Sequence, residues 1–182
     1  MFERTPLEGL LIYQPRIHRD DRGYFLETFN RRHFEEAGLP CGFVQDNASV
    51  SRRGTLRGLH LQRAPFAQTK LVGVTRGKIF DVVVDLRPQS PTLGHWYGIT
   101  LQDDEHKYVY VPHGFAHGFL ALSDTVQVSY KVDNFYNKES EAGLRYDDPD
   151  IGIEWPTAQN LVLSDKDLAL PGLKEFFTRF PK

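Results

Sequence analysis

Four short segments of this sequence hold side chains suited to moving protons and holding charge. In Gly54-Thr55-Leu56-Arg57-Gly58-Leu59-His60-Leu61-Gln62 an arginine and a histidine flank a glycine within an otherwise strand-like run. Strict strand alternation sends Arg57 and His60 to opposite faces. For both to serve one site the backbone must slip by a residue between them, and Gly58 is where a bulge or a close ligand approach is cheapest. Without that slip the segment is a surface arginine and a satisfied core histidine. In Val126-Gln127-Val128-Ser129-Tyr130-Lys131-Val132, Tyr130 shares a face with Val126, Val128 and Val132. It is either a core tyrosine or, with an ordinary pKa of about 10, a phenol able to donate a proton inside a barrel. Lys70 begins a face that continues through Val72 and Val74, as a strand-end lysine reaching for water or as a buried cation awaiting an anion. Asp167, in Ser164-Asp165-Lys166-Asp167, either caps a turn or holds a histidine in one tautomer.

Three further runs bear on ligands. Gln45-Asp46-Asn47 sets three amide or carboxylate side chains in a row, able to meet both donors and acceptors of a nucleobase or sugar. A polar turn is the alternative, weakened by the β-rich stretches 42–44 and 49–51 on either side. In Arg22-Gly23-Tyr24-Phe25-Leu26-Glu27 the guanidinium of Arg22 can fork onto a phosphate, or the run can be an exposed strand edge. Pro112-His113-Gly114-Phe115-Ala116-His117-Gly118-Phe119 resembles the second cupin motif, whose histidine commonly binds metal. The companion ligands are missing: the first cupin motif requires His-x-His and a later glutamate, whereas His60 is followed at that spacing by Gln62, and Ala121 replaces a frequent asparagine. Two histidines do not make the three-ligand centre of catalytic zinc or iron, so the expectation is a metal-free site.

Composition bounds what such a site could serve. A chain of 182 residues suffices for one domain, 1–182, around a single core. Hydrophobic residues at 40% and charged residues at 25% are ordinary for a soluble globular protein. The 22 basic and 24 acidic side chains leave a formal charge of -2. No overall field therefore favours nucleic acid or an anionic membrane, and an anionic ligand needs a local basic cluster. The single cysteine, Cys41, has no internal disulfide partner, and Glu3, Arg4 and Glu8 interrupt any signal-like run, which together read as cytoplasmic. No stretch approaches the roughly 20 apolar residues of a spanning helix.

The elements that must position these groups are short. Alternating or β-branched runs recur at 10–13, 24–29, 70–74, 78–86, 96–101, 108–111 and 126–132, with turn residues between them. Between 78 and 87 one face carries Phe80, Val82, Val84 and Leu86, while the other carries Ile79, Asp81, Val83 and Asp85 and is half polar. Many short strands in a domain of this size predict an all-β sandwich or jelly-roll barrel whose mouth can hold a small ligand. Helix is scarce: Asn30 caps 31–37, Gly38 stops it, and 165–177 holds a turn or two.

Taken together and in this order, the segments resemble the dTDP-4-dehydrorhamnose 3,5-epimerase family, the cofactor-free enzymes of dTDP-L-rhamnose synthesis. The carrying residues are Arg22-Gly23 to Glu27, Gln45-Asp46-Asn47, Leu56 to His60, Asp81 to Arg87 and Pro112 to Phe119. Tyr130-Lys131, Glu141-x-Gly143, Asp148-Pro149, Ile153-x-Trp155-Pro156 and Ser164-x-Lys166-Asp167 extend the match to nearly the full chain. The resemblance implies a cupin-like jelly-roll barrel with short peripheral helices, a dTDP-4-keto-6-deoxyhexose substrate and a homodimer, with no cofactor. It implies that His60 is the base, Asp167 its carboxylate partner and Tyr130 the acid on the opposite face, with Arg57, Lys70 and His117 around the sugar. Arg22, Glu27, Gln45, Asp46, Asn47, Glu141 and Lys166 would hold nucleotide and diphosphate, and Phe25 and Tyr136 would stack on thymine. Leu61, His113, Tyr146 and Lys166 depart from residues usual in the family, and lysine at 166 keeps the charge of arginine but loses its fork.

The implied chemistry suits these residue types. A 4-keto sugar has hydrogens at C3 and C5 acidified by one carbonyl, so a base can take either if a cation such as Lys70 or Arg57 stabilises the enolate oxygen. Inversion then requires a proton from the other face, which a neutral phenol can deliver. The competing expectations are a C3-only or C5-only epimerase, a metal-dependent cupin oxygenase or isomerase, and a non-catalytic nucleotide-sugar binding module.

Overall fold

The structure is a computed structural model that describes residues 1–157 and 159–180. Among them the chain forms β1 (Phe2–Arg4), β2 (Leu11–Tyr13), β3 (Ile17–Asp20), β4 (Gly23–Leu26), α1 (Arg31–Glu36), β5 (Gln45–Arg52) and β6 (Leu56–Gln62). Next come β7 (Lys70–Arg76), β8 (Lys78–Asp85), β9 (Trp96–Gln102), β10 (Tyr108–Val111), β11 (Phe115–Ala121), β12 (Thr125–Val132) and β13 (Glu141–Gly143). Two short helices, α2 (Asp165–Leu168) and α3 (Leu173–Arg179), follow. The strands make a six-stranded sheet in the order β1-β2-β10-β7-β12-β5, a five-stranded sheet in the order β13-β6-β11-β8-β9, and a separate β3-β4 hairpin. All strand pairs are antiparallel.

The period-two pattern explains how the two large sheets meet. Val72 and Val74 of β7, Val126 and Val128 of β12, and Val109 and Val111 of β10 point inward from the first sheet onto Ile79 and Val83 of β8, Phe115 and Phe119 of β11 and Leu101 of β9 in the second. Each such side chain, fully buried, stabilises the fold by about 1.5–3 kcal/mol of transfer free energy. The opposite face of β8, Phe80, Val82 and Val84, lies under a second cluster built from Leu144, Ile151, Trp155 and Phe176 of the C-terminal third. Both faces of β8 are thus covered, and the half-polar one faces the barrel interior. This is the cupin-like jelly roll expected from the sequence.

The peripheral helix α1 forms as its cap predicts, with the Asn30 side chain accepting from Arg32 N–H, and Gly38 follows in the left-handed region at φ +70. The strand expected over 24–29 stops at Leu26. Beyond it Glu27 accepts from the Asn30 side chain at 3.1 Å, and Phe29 turns into an aromatic cluster with Phe34 and Phe43, each at 5.1 Å. Gln45-Asp46-Asn47 lies in strand, since β5 pairs with β12 along its whole length. No helix among the described residues is long and apolar enough to cross a membrane.

Candidate active site

The bulge expected at Gly58 is present and is what assembles the site. In the β6-β11 pairing His60 stands opposite His117 and Arg57 opposite Phe119. Two residues of β6, Gly58 and Leu59, therefore face one of β11, Gly118, which rotates Arg57 and His60 onto the same inward side. Gly58 sits at φ +123, where a Cβ would lie 2.6 Å from the Gly118 Cα and 2.9 Å from the His117 carbonyl oxygen. Only glycine meets both demands.

Arg57, His60, His117 and Phe119 of the five-stranded sheet line a cavity of about 290 Å³, faced by Ser49, Lys70, Val128 and Tyr130 of the six-stranded sheet and closed by Ser164, Lys166 and Asp167. That volume is at the lower end for small-ligand sites, about the size of a single sugar ring. His60 and Asp167, 107 residues apart, meet at 2.6 Å between Nε2 and Oδ1. With Nε2–H donating to the carboxylate, Nδ1 of His60 is left with its lone pair to act as a base. Burial pushes the Asp167 carboxyl up, but the hydrogen bond and charge of His60, aided by Gly58 N–H and Ser164, outweigh it and hold the group below its ordinary value. Asp167 stays a carboxylate and orients the ring.

A second pair lies beside the first. His117 Nε2 donates to Asp81 Oδ2 at 2.8 Å, with Asp81 fully buried and its other oxygen without a hydrogen-bond partner among the described residues. Asp81 comes from the half-polar face of β8, the one sequence signal that could have marked it. Lys70 reaches across from the other sheet, its Nζ donating to the His60 carbonyl at 3.2 Å. Burial lowers its pKa to about 8, partly offset by Asp81 and Glu141. Tyr130 is pushed up by burial, against a smaller opposing pull from Arg57, and so keeps its proton. Arg57 is held in place by Ser51 Oγ at 3.0 Å and the Val50 carbonyl at 3.2 Å. His60, Tyr130 and Lys70 thus come from two facing sheets.

The remaining expected residues divide into two groups. At the rim beside the cavity Glu141 accepts from both Lys166 and Tyr136, the latter at 3.1 Å, and burial of its carboxyl is outweighed by Lys166 so that it titrates below its ordinary value. Gln45 and Asn47 share the half-buried face of β5 with Ser49 and are bonded to each other at 2.8 Å, while Asp46 points the other way onto Lys131 at 2.8 Å. Arg22 and Phe25 line a shallow concavity on the β3-β4 hairpin, where Arg22 pairs with Asp20 and Phe25 is 67% exposed. Glu27 lies just beyond that hairpin, bonded to Asn30. Ser49, Ser164, Phe119 and Val128 were missed as lining residues; strand alternation through 45–52 would have found Ser49, and the Ser-x-x-Asp spacing would have found Ser164.

The residues that match cupin metal positions do not converge as a donor set. Gln62 turns its amide to the Phe66 and Phe135 carbonyls, at 2.9 and 3.1 Å, and accepts from Asn137 N–H at 2.6 Å. The Nε2 atoms of His60 and His117 are committed to separate carboxylates. No group of three or more His, Cys, Asp or Glu able to hold a metal ion occurs among the described residues.

Comparison with known proteins agrees with this geometry. A sequence model of the family described as dTDP-4-dehydrorhamnose 3,5-epimerase matches residues 4–175. The dTDP-4-dehydrorhamnose 3,5-epimerase of Methanothermobacter thermautotrophicus is 51% identical over 176 residues, 96% of this chain and 95% of that protein. The crystal structure of the Elizabethkingia anophelis dTDP-4-dehydrorhamnose 3,5-epimerase superposes with a TM-score of 0.93 at 47% identity, covering 96% of this chain and 97% of that one. The Legionella pneumophila 3,5-epimerase, solved in complex with dTDP-4-keto-L-rhamnose, gives a TM-score of 0.92 at 42% identity, covering 96% and 93%. Fold, sequence and the ordered series of motifs agree over nearly the whole length: this chain belongs to the dTDP-4-dehydrorhamnose 3,5-epimerase family.

Proposed function

We propose that the protein inverts C3 and C5 of dTDP-4-dehydro-6-deoxy-D-glucose, giving dTDP-4-dehydro-L-rhamnose for dTDP-L-rhamnose biosynthesis, by proton transfer alone. The observation that carries this reading is the His60–Asp167 pair at 2.6 Å, its histidine on one sheet and its aspartate on α2, with Tyr130 and Lys70 entering the same cavity from the facing sheet. His60 Nδ1 takes the proton from C3 or C5. The C–H electron pair becomes the double bond to C4, and the carbonyl π pair moves to O4 as an oxyanion beside Lys70, with Arg57 as a further donor and His117 against the sugar. As the O4 pair re-forms the carbonyl, the double bond takes a proton at carbon from the Tyr130 hydroxyl on the other face. His60 then gives its proton to water, the Tyr130 phenolate takes one from water, and the sequence repeats at the second carbon. Gln62, which stands at a cupin ligand position, spends its amide on backbone groups, which supports a reaction without metal.

Glu141, Lys166 and Tyr136 beside the cavity, with Gln45 and Asn47 on the Ser49 face of β5, hold the nucleotide and diphosphate, while Asp46, on the other face of β5, is left to pair with Lys131. The protein acts as a homodimer in the cytoplasm. Arg22, Phe25 and Glu27 support the dimer: the hairpin bearing Arg22 and Phe25 stands apart from the two large sheets, and its exposed Phe25 and cationic Arg22 suit a nucleotide held by a second copy of the chain.

The test is incubation with dTDP-4-dehydro-6-deoxyglucose in heavy water. Deuterium at both C3 and C5 with both centres inverted is expected, and Tyr130→Phe should still exchange hydrogens on the His60 face while failing to invert. Label at one carbon only, the other keeping its hydrogen and configuration, refutes double inversion in favour of a single-site epimerase. No label despite saturating substrate leaves a binding module.

A further inference from the structure

The proposed chemistry needs Asp167 held rigidly, yet the element that carries it, α2, is only four residues long. So short a helix has almost no stability of its own, since the cost of nucleation is spread over too few hydrogen bonds. One side chain closes its first turn. The Ser164 hydroxyl oxygen accepts from the Asp167 amide at 3.1 Å, and the Ser164 carbonyl accepts from Leu168 N–H at 3.0 Å. Two residues earlier, Val162 is tied to the strand that bears the base: its carbonyl accepts from Leu56 N–H at 3.0 Å, and its own N–H donates to Gly54 O at 2.9 Å. Ser164 is therefore the joint between a segment anchored on β6 and the carboxylate that orients the base of β6.

We propose that Ser164 is a positioning residue for the reaction, acting through Asp167 to fix the tautomer and aim of His60. The inference rests on the reading of His60 as base and Asp167 as its partner. It assigns Ser164 no contact with substrate, although the residue lines the cavity. The ranking of residues as helix N-caps then becomes a ranking of catalytic rates. Asparagine and serine cap about equally well, glycine loses little, and alanine loses most.

The experiment compares Ser164→Asn, Ser164→Gly and Ser164→Ala with the wild-type protein and with His60→Ala. The expected kcat order is Ser ≈ Asn > Gly > Ala, with alanine about five- to tenfold down and KM within about twofold throughout. The downfield proton resonance expected of a 2.6 Å His60–Asp167 hydrogen bond should weaken in the same order. Equal rates for serine and alanine would overturn the proposal, as would equal losses for glycine, alanine and asparagine, or a rise in KM without loss of kcat, which marks a substrate contact. An active His60→Ala protein instead defeats the underlying mechanism, whatever the Ser164 series does. If Ser164→Ala fails to fold, the comparison of asparagine with glycine still reads the order.

Discussion

Replacing Lys70 with methionine should make the protein slower and more stable at once. Lys70 is buried between the sheets, and the loss of hydration lowers its pKa from 10.5 to about 8 in spite of Asp81 and Glu141. A shift of that size means that holding the charged ammonium in the cavity costs on the order of 3 kcal/mol relative to water. The unfolded chain binds a proton at this lysine up to about pH 10.5, the folded chain only up to about pH 8. Stability at this site is therefore lowest below pH 8 and rises as pH climbs from 8 to 10.5, because the unfolded state holds more protons there. Catalysis runs the other way. In the proposed mechanism the ammonium and not the neutral amine stabilises the O4 oxyanion, so kcat/KM should fall above pH 8 by about tenfold per unit, reaching roughly 30-fold below its plateau at pH 9.5. Lys70→Met removes both effects: its kcat should drop about 100- to 1,000-fold at pH 7, as for loss of an oxyanion donor. Urea unfolding should show the variant up to about 3 kcal/mol more stable at pH 7, a difference that vanishes near pH 10.5. A wild-type kcat/KM that stays flat to pH 9.5, or a variant less stable at pH 7, would refute the argument.

Asp167→Asn removes the charge that stabilises a protonated His60 at 2.6 Å; losing one charge-assisted hydrogen bond of about 2–3 kcal/mol should lower kcat about 30- to 150-fold with KM little changed. Steady-state rates within twofold of wild type would remove Asp167 from the mechanism. Gly58→Ala forces a Cβ to 2.6 Å from Gly118 and a side chain onto φ +123, which should cost about 2–4 kcal/mol and lower Tm by on the order of 10 °C, with activity lost as the bulge relaxes. Unchanged melting and turnover would show that the bulge is not sterically required. His113 Nε2 bonds to Asp133 at 3.1 Å, and that bond, against the pull of burial, raises the imidazole above its ordinary value. The pair stabilises the fold fully below the unfolded pKa of histidine, and this is lost as pH rises through the raised folded value. Because His113 is largely exposed the effect is screened to under about 1 kcal/mol. His113→Asn should thus be less stable than wild type at pH 5.5 and equal to it at pH 8.5; an offset that does not change with pH would contradict this.

Local physics was enough to read much of the architecture from the chain. Alternation in 78–86, 108–111 and 126–132 marked strands with a defined inner face because side chains in a strand repeat every two residues. Asn30 marked the start of α1 because its side chain satisfies an amide that a helix leaves free. The same logic located the slip at Gly58 before any register was known, since Arg57 and His60 could share a face in no other way. It misjudged the end of β4, where aromatic packing of Phe29 with residues distant in sequence draws the chain out of the strand. It left Gln45-Asp46-Asn47 between turn and strand, because amide-rich runs become strands only when a neighbour such as β12 takes up their backbone groups.

What the sequence by itself determined is the inventory and the order: which residues can carry a proton or a charge, and which runs alternate. Only the tertiary structure decided which of them meet. His60 and Asp167 are joined by a contact spanning 107 residues, Asp81 becomes the partner of His117 through a strand pairing, and Lys70 loses its hydration only because a second sheet closes over it. No local pattern encodes such distances, since each depends on how the two sheets stack and on where the bulge rotates β6. The same packing leaves Arg22 and Phe25 on a hairpin apart from the sheets while placing Tyr130 across the cavity from His60, positions that no local pattern in the sequence could fix.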